Sequence, residues 1–335
     1  MKKKMIGAGI AVVLMVLTAL PTNANRNTSI EDAAKIAEDT LMGREGIAGV
    51  SYTETPAKIT VYVENEEYAS LVPDHIAGFD TEIDVSGRFY ALGSAMYQSE
   101  VQSVESQQGG SPLPLLSRTV HWPFMLGGIS FGNAFGTGTL GVVTNVNRLV
   151  TNAHVIALDS NANFLPTGTN TRVYQPGRID SGPVNVGYLA AYITLRFGSA
   201  SQTNPNYADA AYAICTHGLV LTKQVLNSNN ANWYTVSLTT TSPSVGQMVR
   251  KSGRTTGVTQ NTVHATSASV DVWYTSTKYA HFHDVLMVHQ PFSSGGDSGS
   301  FVDRSGLFVG LVFAGSSDYS CVCKGSYVKS GLGIS

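Results

Sequence analysis

The segment SSGGDSGS, residues 293–300, encloses one serine hydroxyl, Ser298, between glycines at 296 and 299. A serine hydroxyl is a weak nucleophile at neutral pH and needs a neighbouring base to take its proton. The glycines let the main chain pass close to a bound group, so the N–H groups of Gly296 and Ser298 can face a developing oxyanion. Upstream, LVTNAHVIA (149–157) carries an apolar strand-like run into a turn at His154, and NYADAAYAI (206–214) opens a second run at Asp209. Histidine can supply the base, and a buried carboxylate would fix its tautomer and stabilise its imidazolium. Each residue taken singly has an ordinary reading: a structural histidine, a surface or capping aspartate, a glycine turn. Together they stand in the order His154, Asp209, Ser298, separated by 55 and 89 residues.

The surrounding chain is strand-like. After residue 118 come short β-like runs, among them 138–144, 171–174, 187–195, 233–239 and 307–313, divided by Gly, Asn, Ser and Thr. No stretch of ten or more residues there keeps a helical period, and no internal repeat is evident. Many short strands over about 200 residues indicate an all-β antiparallel barrel or sandwich. Charged residues make up 13% and hydrophobic residues 43%, which excludes a disordered chain and a coiled coil. A net charge of −2 gives no reason to expect a nucleic-acid partner. Cys215, Cys321 and Cys323 match no zinc pattern and are too few for a disulfide scaffold. Cys215 reads as a buried thiol. Cys321 and Cys323 could pair only through a strained ring, so free thiols are expected.

The N-terminal part differs. Lys2, Lys3 and Lys4 precede an apolar run from 6 to 20, then Pro21 and small residues to Ala24. This is the pattern of a signal peptide over 1–24, implying a secreted product; an uncleaved segment anchoring the chain to a membrane is the alternative. Residues 25–97 read as a small α+β domain, a possible pro-segment. Ser29 caps a helix to Leu41, strands follow at 49–53 and 58–64, a short helix at 66–76 is interrupted near Pro73, and 81–92 is extended. Residues 98–118, containing SQQGGSPLPLLS, have linker composition. Residues 25–117 carry a net charge of −10, and residues 118–335 carry +5 without a single Glu. That division suggests that the acidic unit docks on the basic one, with salt weakening an exposed electrostatic contact.

The segments TNAHV, DAAYA and GGDSGS, with VRKSGRTTGVTQNTV at 249–263, GGISFGNAFGTGTLG, VYQPGRIDSG and KITVYVENEEY, resemble chymotrypsin-like (trypsin-like) serine peptidases. The likeness is to a bacterial subgroup with a small N-terminal α+β domain. The resemblance implies a peptidase domain over 119–335, built as two six-stranded antiparallel barrels with the active site between them. It implies His154, Asp209 and Ser298 as the catalytic residues, and a protein or peptide substrate. No metal or other cofactor is required. Such peptidases usually finish with a helix on the second barrel, for which this chain ends too soon after Cys323. Asp297 needs a cationic partner to hold the nucleophile loop, and Lys251 and Arg254 are the candidates. The side-chain pocket falls on Phe292, Ser293 and Ser294 and on Phe313, Ala314 and Gly315. None is a carboxylate, so uncharged, small or medium apolar side chains are expected there. Acidic side chains are the second reading, through Ser293 and His264, and Asp318 is the residue most able to upset the first.

Other chemistries fail at named residues. An α/β-hydrolase needs Gly-x-Ser-x-Gly, but position 300 is Ser. His281, His283 and His289 suggest a metal only weakly, because no acid-bearing helix is evident beside them. A catalytically inactive peptidase homologue serving as a protein-binding module is the rival from another class. It usually arises by loss of a triad residue, and none is lost here.

Overall fold

The computed structural model describes residues 28–93, 117–216 and 218–335. The signal segment and most of the linker expected at 98–118 lie outside the described residues. Ser29 accepts a hydrogen bond from the Asp32 N–H and starts α1 (Ile30–Leu41), whose Ala33, Ala37 and Leu41 are buried. They pack on Ile47, Val50, Ile59, Val61 and Val63, the inward residues of β1 (Ile47–Glu54) and β2 (Ala57–Val63). A 3₁₀ turn, Glu66–Leu71, stands where the sequence suggested a helix to residue 76. β3 (His75–Ile76) and β4 (Phe79–Val85) follow, with β4 parallel to β2. The expected extended run at 81–92 is split: β5 (Phe89–Ala91) leaves this unit and pairs elsewhere.

The first barrel uses β6 (Phe124–Gly127), β7 (Ser130–Gly132), β8 (Thr137–Thr139), β9 (Val142–Val143) and β10 (Arg148–Thr151). A one-turn helix, α2 (Ala153–Ile156), precedes β11 (Arg172–Gln175), β12 (Val184–Tyr192) and, after α3 (Ser199–Thr203), β13 (Ala211–Cys215). The sheet runs β8-β7-β11-β12-β13-β10-β9. β8 and β9 are two halves of one path broken at Leu140 and Gly141, so the sheet curls back on itself around Phe131, Leu149, Val173 and Leu189.

The second barrel begins after β14 (Leu219–Leu226), β15 (Trp233–Thr235) and β16 (Ser237–Thr240). Its strands are β17 (Met248–Gly253), β18 (Gly257–Trp273), β19 (Tyr279–His289), β20 (Phe301–Arg304), β21 (Leu307–Gly315) and β22 (Tyr319–Lys324). They pair in the order β17-β20-β21-β22-β19-β18, and β18 pairs with β17 again, which closes six antiparallel strands. Closure leaves no free edge within the ring. The chain then forms α4 (Gly325–Leu332), with Val328, Leu332 and Ile334 in the core. The expectation that no helix would follow Cys323 is therefore corrected. Eight residues are enough for a helix here, because two apolar side chains one turn apart fill the gap over β21. Cys321 and Cys323 are buried thiols without a disulfide, whereas Cys215 is only half-buried.

β18 is 17 residues long, longer than the barrel requires, and its far half templates the N-terminal unit. Gly49, Val50 and Ser51 of β1 pair with Val270, Ser269 and Ala268. The four N-terminal strands thus extend the sheet of the second barrel. Among the described residues, the ion pairs across this junction are those of Glu38. The buried Glu38 of α1 faces His281 (3.1 Å) and His283 (2.9 Å), and His281 also bonds Asp271 (2.9 Å). An acid-bearing helix does accompany these histidines, contrary to the sequence reading. Among the described residues, however, no group of three or more His, Cys, Asp or Glu is arranged to hold a metal. Tyr319 donates to Asp84 (2.6 Å), and Tyr62 shares a hydrogen bond with His264 (2.9 Å).

Burial opposes protonation of His281, but Asp271 and Glu38 outweigh it and raise its pKa to about 9. A folded value above the unfolded one, about 6.5, means that this contribution is complete below pH 6.5 and is lost as pH rises through about 9. Burial likewise opposes ionisation of Glu38, yet His281 and His283 hold its carboxyl far below the usual range. Its contribution is present above the ordinary carboxylate range and lost in acid. Glu38→Ala should lower the unfolding free energy in urea by about 3 kcal/mol, the scale of a broken buried pair. Raising the pH from 7 to 10 should destabilise the wild type more than this variant. Equal losses would show that the Glu38–His281 pair does not hold the junction.

Candidate active site

α2 begins where β10 ends, so the first barrel delivers His154 at the cleft. Asp209 lies just before β13, the strand beside β10. Its fully buried carboxylate accepts from four groups. Oδ1 takes the N–H of Ala153 (2.6 Å) and of His154 (3.2 Å), and Oδ2 takes His154 Nδ1 (2.7 Å) and the Tyr274 hydroxyl (2.7 Å). Burial works against its ionisation, but His154 and these hydrogen bonds outweigh it and hold the pKa below the ordinary value. The other imidazole nitrogen, Nε2, lies 2.7 Å from Ser298 Oγ. With Asp209 ionised and accepting from Nδ1–H, Nε2 is left as an acceptor for the serine proton.

The loop carrying Ser298 is held from beneath. Asp297 is fully buried against Lys251, also fully buried, at 3.1 Å. It also accepts from the Thr256 hydroxyl (2.6 Å) and from the N–H groups of Ser294, Thr255 and Thr256. Burial opposes its charge; Lys251 and these donors keep its carboxyl below the usual range. Of the two expected partners, Lys251 is in place. Arg254 is not, because its guanidinium turns to Asp180, with Nε to Oδ2 at 2.9 Å.

Thr139 of the first barrel ties the loop across the cleft. Its hydroxyl donates to the Gly296 carbonyl (2.9 Å) and its N–H to the Ser298 carbonyl (2.8 Å). Gly296 and Gly299 adopt φ of +94° and +88°, and a Cβ on Gly299 would stand 2.0 Å from the Thr151 hydroxyl. Both the backbone sign and the space require glycine there. The Gly296 N–H, expected to face an oxyanion, donates to the carbonyl of Leu92 at 2.8 Å.

The expected pocket residues divide. Gly315 and Ala314 are buried and pair with Tyr90 and Ala91. Phe292 is buried in one apolar cluster with Leu92 and Val312. The ring of Phe313 instead lies in the barrel interior against Phe282, and only its carbonyl reaches the cleft, accepting from the Leu92 N–H (3.1 Å). Ser293 shares a hydrogen bond with Ser320 (2.6 Å), and Ser294 donates its N–H to Asp297. His264 shares a hydrogen bond with Tyr62, and its ring lies 4.4 Å from that of Tyr319 in a tilted arrangement. Asp318 is exposed beyond β21. Tyr274, Thr139, Leu92 and Gly93 were not singled out from sequence. A hollow of about 490 Å³ beside His154 is lined by Ala91, Gly93, Phe135, Leu158 and Tyr274.

No family model matches the chain, and no curated protein does. Among solved structures it is similar to the Nocardiopsis protease, at 19% identity over 63% of this chain and 97% of that one, with a TM-score of 0.46. It is also similar to the chymotrypsin of Cellulomonas bogoriensis, at 18% identity over 63% and 97%, with a TM-score of 0.45. A scabies mite inactivated protease paralogue is similar at 12% identity over 60% and 88%, with a TM-score of 0.36. The chain thus resembles bacterial chymotrypsin-like serine proteases at low identity.

The two cations make separable predictions. Lys251→Met should leave Asp297 buried without its ion pair and reduce stability by about 3–5 kcal/mol. Arg254→Met should leave the Asp297 contacts intact and cost clearly less. Urea denaturation of both variants checks the order, and equal losses would contradict it.

Proposed function

We propose that the chain is a secreted serine endopeptidase that hydrolyses peptide bonds through an acyl-enzyme. The observation that carries this reading is the unbroken relay from Asp209 Oδ2 to His154 Nδ1 and from His154 Nε2 to Ser298 Oγ, each link 2.7 Å. Ser298 Oγ attacks the substrate carbonyl while His154 takes its proton, and Asp209 stabilises the resulting imidazolium. The N–H groups of Gly296 and Ser298 receive the oxyanion. His154 then gives its proton to the leaving amine as the C–N bond breaks. Water repeats the sequence on the ester and frees Ser298. Lys251 acts through Asp297 by holding the loop, and Tyr274 acts through Asp209; both are positioning residues. Secretion is proposed from the apolar run and small residues before position 25.

The binding-module alternative would need no intact relay, and a hydrogen-bonded Ser298 offers it nothing. Its test is the same as that of the peptidase reading. Ser298→Ala, His154→Ala and Asp209→Asn should each reduce casein hydrolysis by about 10⁴-fold or more. The double and triple variants should lose little further, because the three residues act as one unit. Undiminished hydrolysis by Ser298→Ala would end the proposal.

A further inference from the structure

The end of the N-terminal unit lies in the cleft. β5 runs antiparallel to β21, with Ala91 opposite Ala314 and Tyr90 opposite Gly315. Leu92 continues the strand: its N–H donates to the Phe313 carbonyl at 3.1 Å, and its carbonyl accepts from the Gly296 N–H at 2.8 Å. Extended pairing on a strand edge, with the last carbonyl on a donor beside the nucleophile, is how a peptide's acyl side is held for attack. The next residue, Gly93, stands against the base: a Cβ on it would come 3.2 Å from His154 Nε2. The bond between Leu92 and Gly93 therefore lies between the oxyanion donor and the group that would protonate its nitrogen.

The side chain of Leu92 is fully buried in the cluster that holds Phe292 and Val312. A Cβ on Gly315 would sit 3.4 Å from its Cδ2, so the leucine packs directly against this glycine. Its buried apolar neighbours include Tyr90, Phe292 and Val312, and Ser320, opposite Gly315, is engaged by Ser293. An unpaired lysine or glutamate there would bear an uncompensated desolvation cost.

Resting on the peptidase reading, we propose that Leu92–Gly93 is this site's own first substrate and that the pocket selects a leucine-sized aliphatic side chain on the acyl side. Ser298 Oγ bonds to the Leu92 carbonyl carbon and passes its proton to His154. His154 delivers that proton to the Gly93 nitrogen as the C–N bond breaks. Water then hydrolyses the ester, restoring Ser298 and leaving Leu92 with a free carboxylate. The segment 89–92 keeps its ladder to β21 after the cut and competes with other substrates as a bound product.

Full-length wild type and Ser298→Ala are incubated and followed by intact mass and N-terminal sequencing, with casein hydrolysis recorded alongside. The wild type should yield a fragment beginning at Gly93, at a rate independent of protein concentration, and Ser298→Ala should stay intact. Leu92→Asp should slow the cut at least about 100-fold and Leu92→Met by less than about tenfold. Because Leu92 is also a core residue, the peptide YALGSA is tested separately with wild type. Replacing its leucine by lysine or glutamate should lower kcat/KM at least about 100-fold. Ser298-dependent casein hydrolysis without a cut at Leu92–Gly93, or equal rates on the three peptides, would overturn the inference and leave the peptidase reading standing. No Ser298-dependent hydrolysis of any kind would overturn both.

Discussion

A single buried carboxylate joins the two barrels at the cleft. Asp209 takes two backbone N–H groups and an imidazole N–H from the first barrel, and a hydroxyl from Tyr274 just beyond β18 of the second. A carboxylate removed from water is costly unless every lone pair has a donor. That requirement fixes where α2 starts, which way the imidazole turns, and how closely the hairpin of β18 and β19 approaches β13. The Cys323 thiol adds a long contact to the Asp209 carbonyl, and the Asn152 amide donates to that same oxygen at 2.6 Å. Satisfying Asp209 thus brings strands from both barrels to one point, and Ser298 meets His154 as a consequence.

Asp297 repeats the principle one residue before Ser298. Four donors and Lys251 surround it, all from the segment 251–256 and the loop itself. The two aspartates have opposite neighbours. Asp209 is satisfied by hydrogen bonds alone, one of them to the imidazole of His154. Asp297 is paired with a fully buried lysine. The same buried charge orients an imidazole in one place and holds a loop in the other.

How much of this was legible depended on range. His154, Asp209 and Ser298 stood out because each lies in a short segment whose composition answers a local demand: apolar strand, then turn, then small residues. Lys251 was legible for the same reason. Tyr274 was not, since nothing around it differs from any aromatic residue near a hairpin turn, and its partner is 65 residues away. Glu38 is harder still. It reads as an ordinary polar position on an amphipathic helix, and its histidine partner lies 243 residues on. The C-terminal helix was missed because two turns with Gly331 and two serines give no period to detect. Residues 81–92 read correctly as extended, but alternation cannot say which sheet a strand joins. Phe313 differs: its ring packs against Phe282 in the barrel interior, and its carbonyl accepts from the Leu92 N–H, a choice of face that chain position does not reveal.

The placement of β5 constrains what cutting the chain can accomplish. Phe89 and Tyr90 pair with Val272 and Trp273 of β18, while Tyr90 and Ala91 pair with Gly315 and Ala314 of β21. Breaking the bond after Leu92 removes none of these hydrogen bonds. Nor does it touch the ladder between β1 and β18 or the ion pair of Glu38 with His281. Departure of the N-terminal unit would expose the overhanging half of β18 as an open edge, which is itself unfavourable. On the proposed reading, cleavage and release would therefore be separate events. The first is governed by the geometry around Ser298, and the second by the strength of a junction more than one strand wide. On that reading the site would complete its chemistry on its own chain and stay closed to others until that junction gives way.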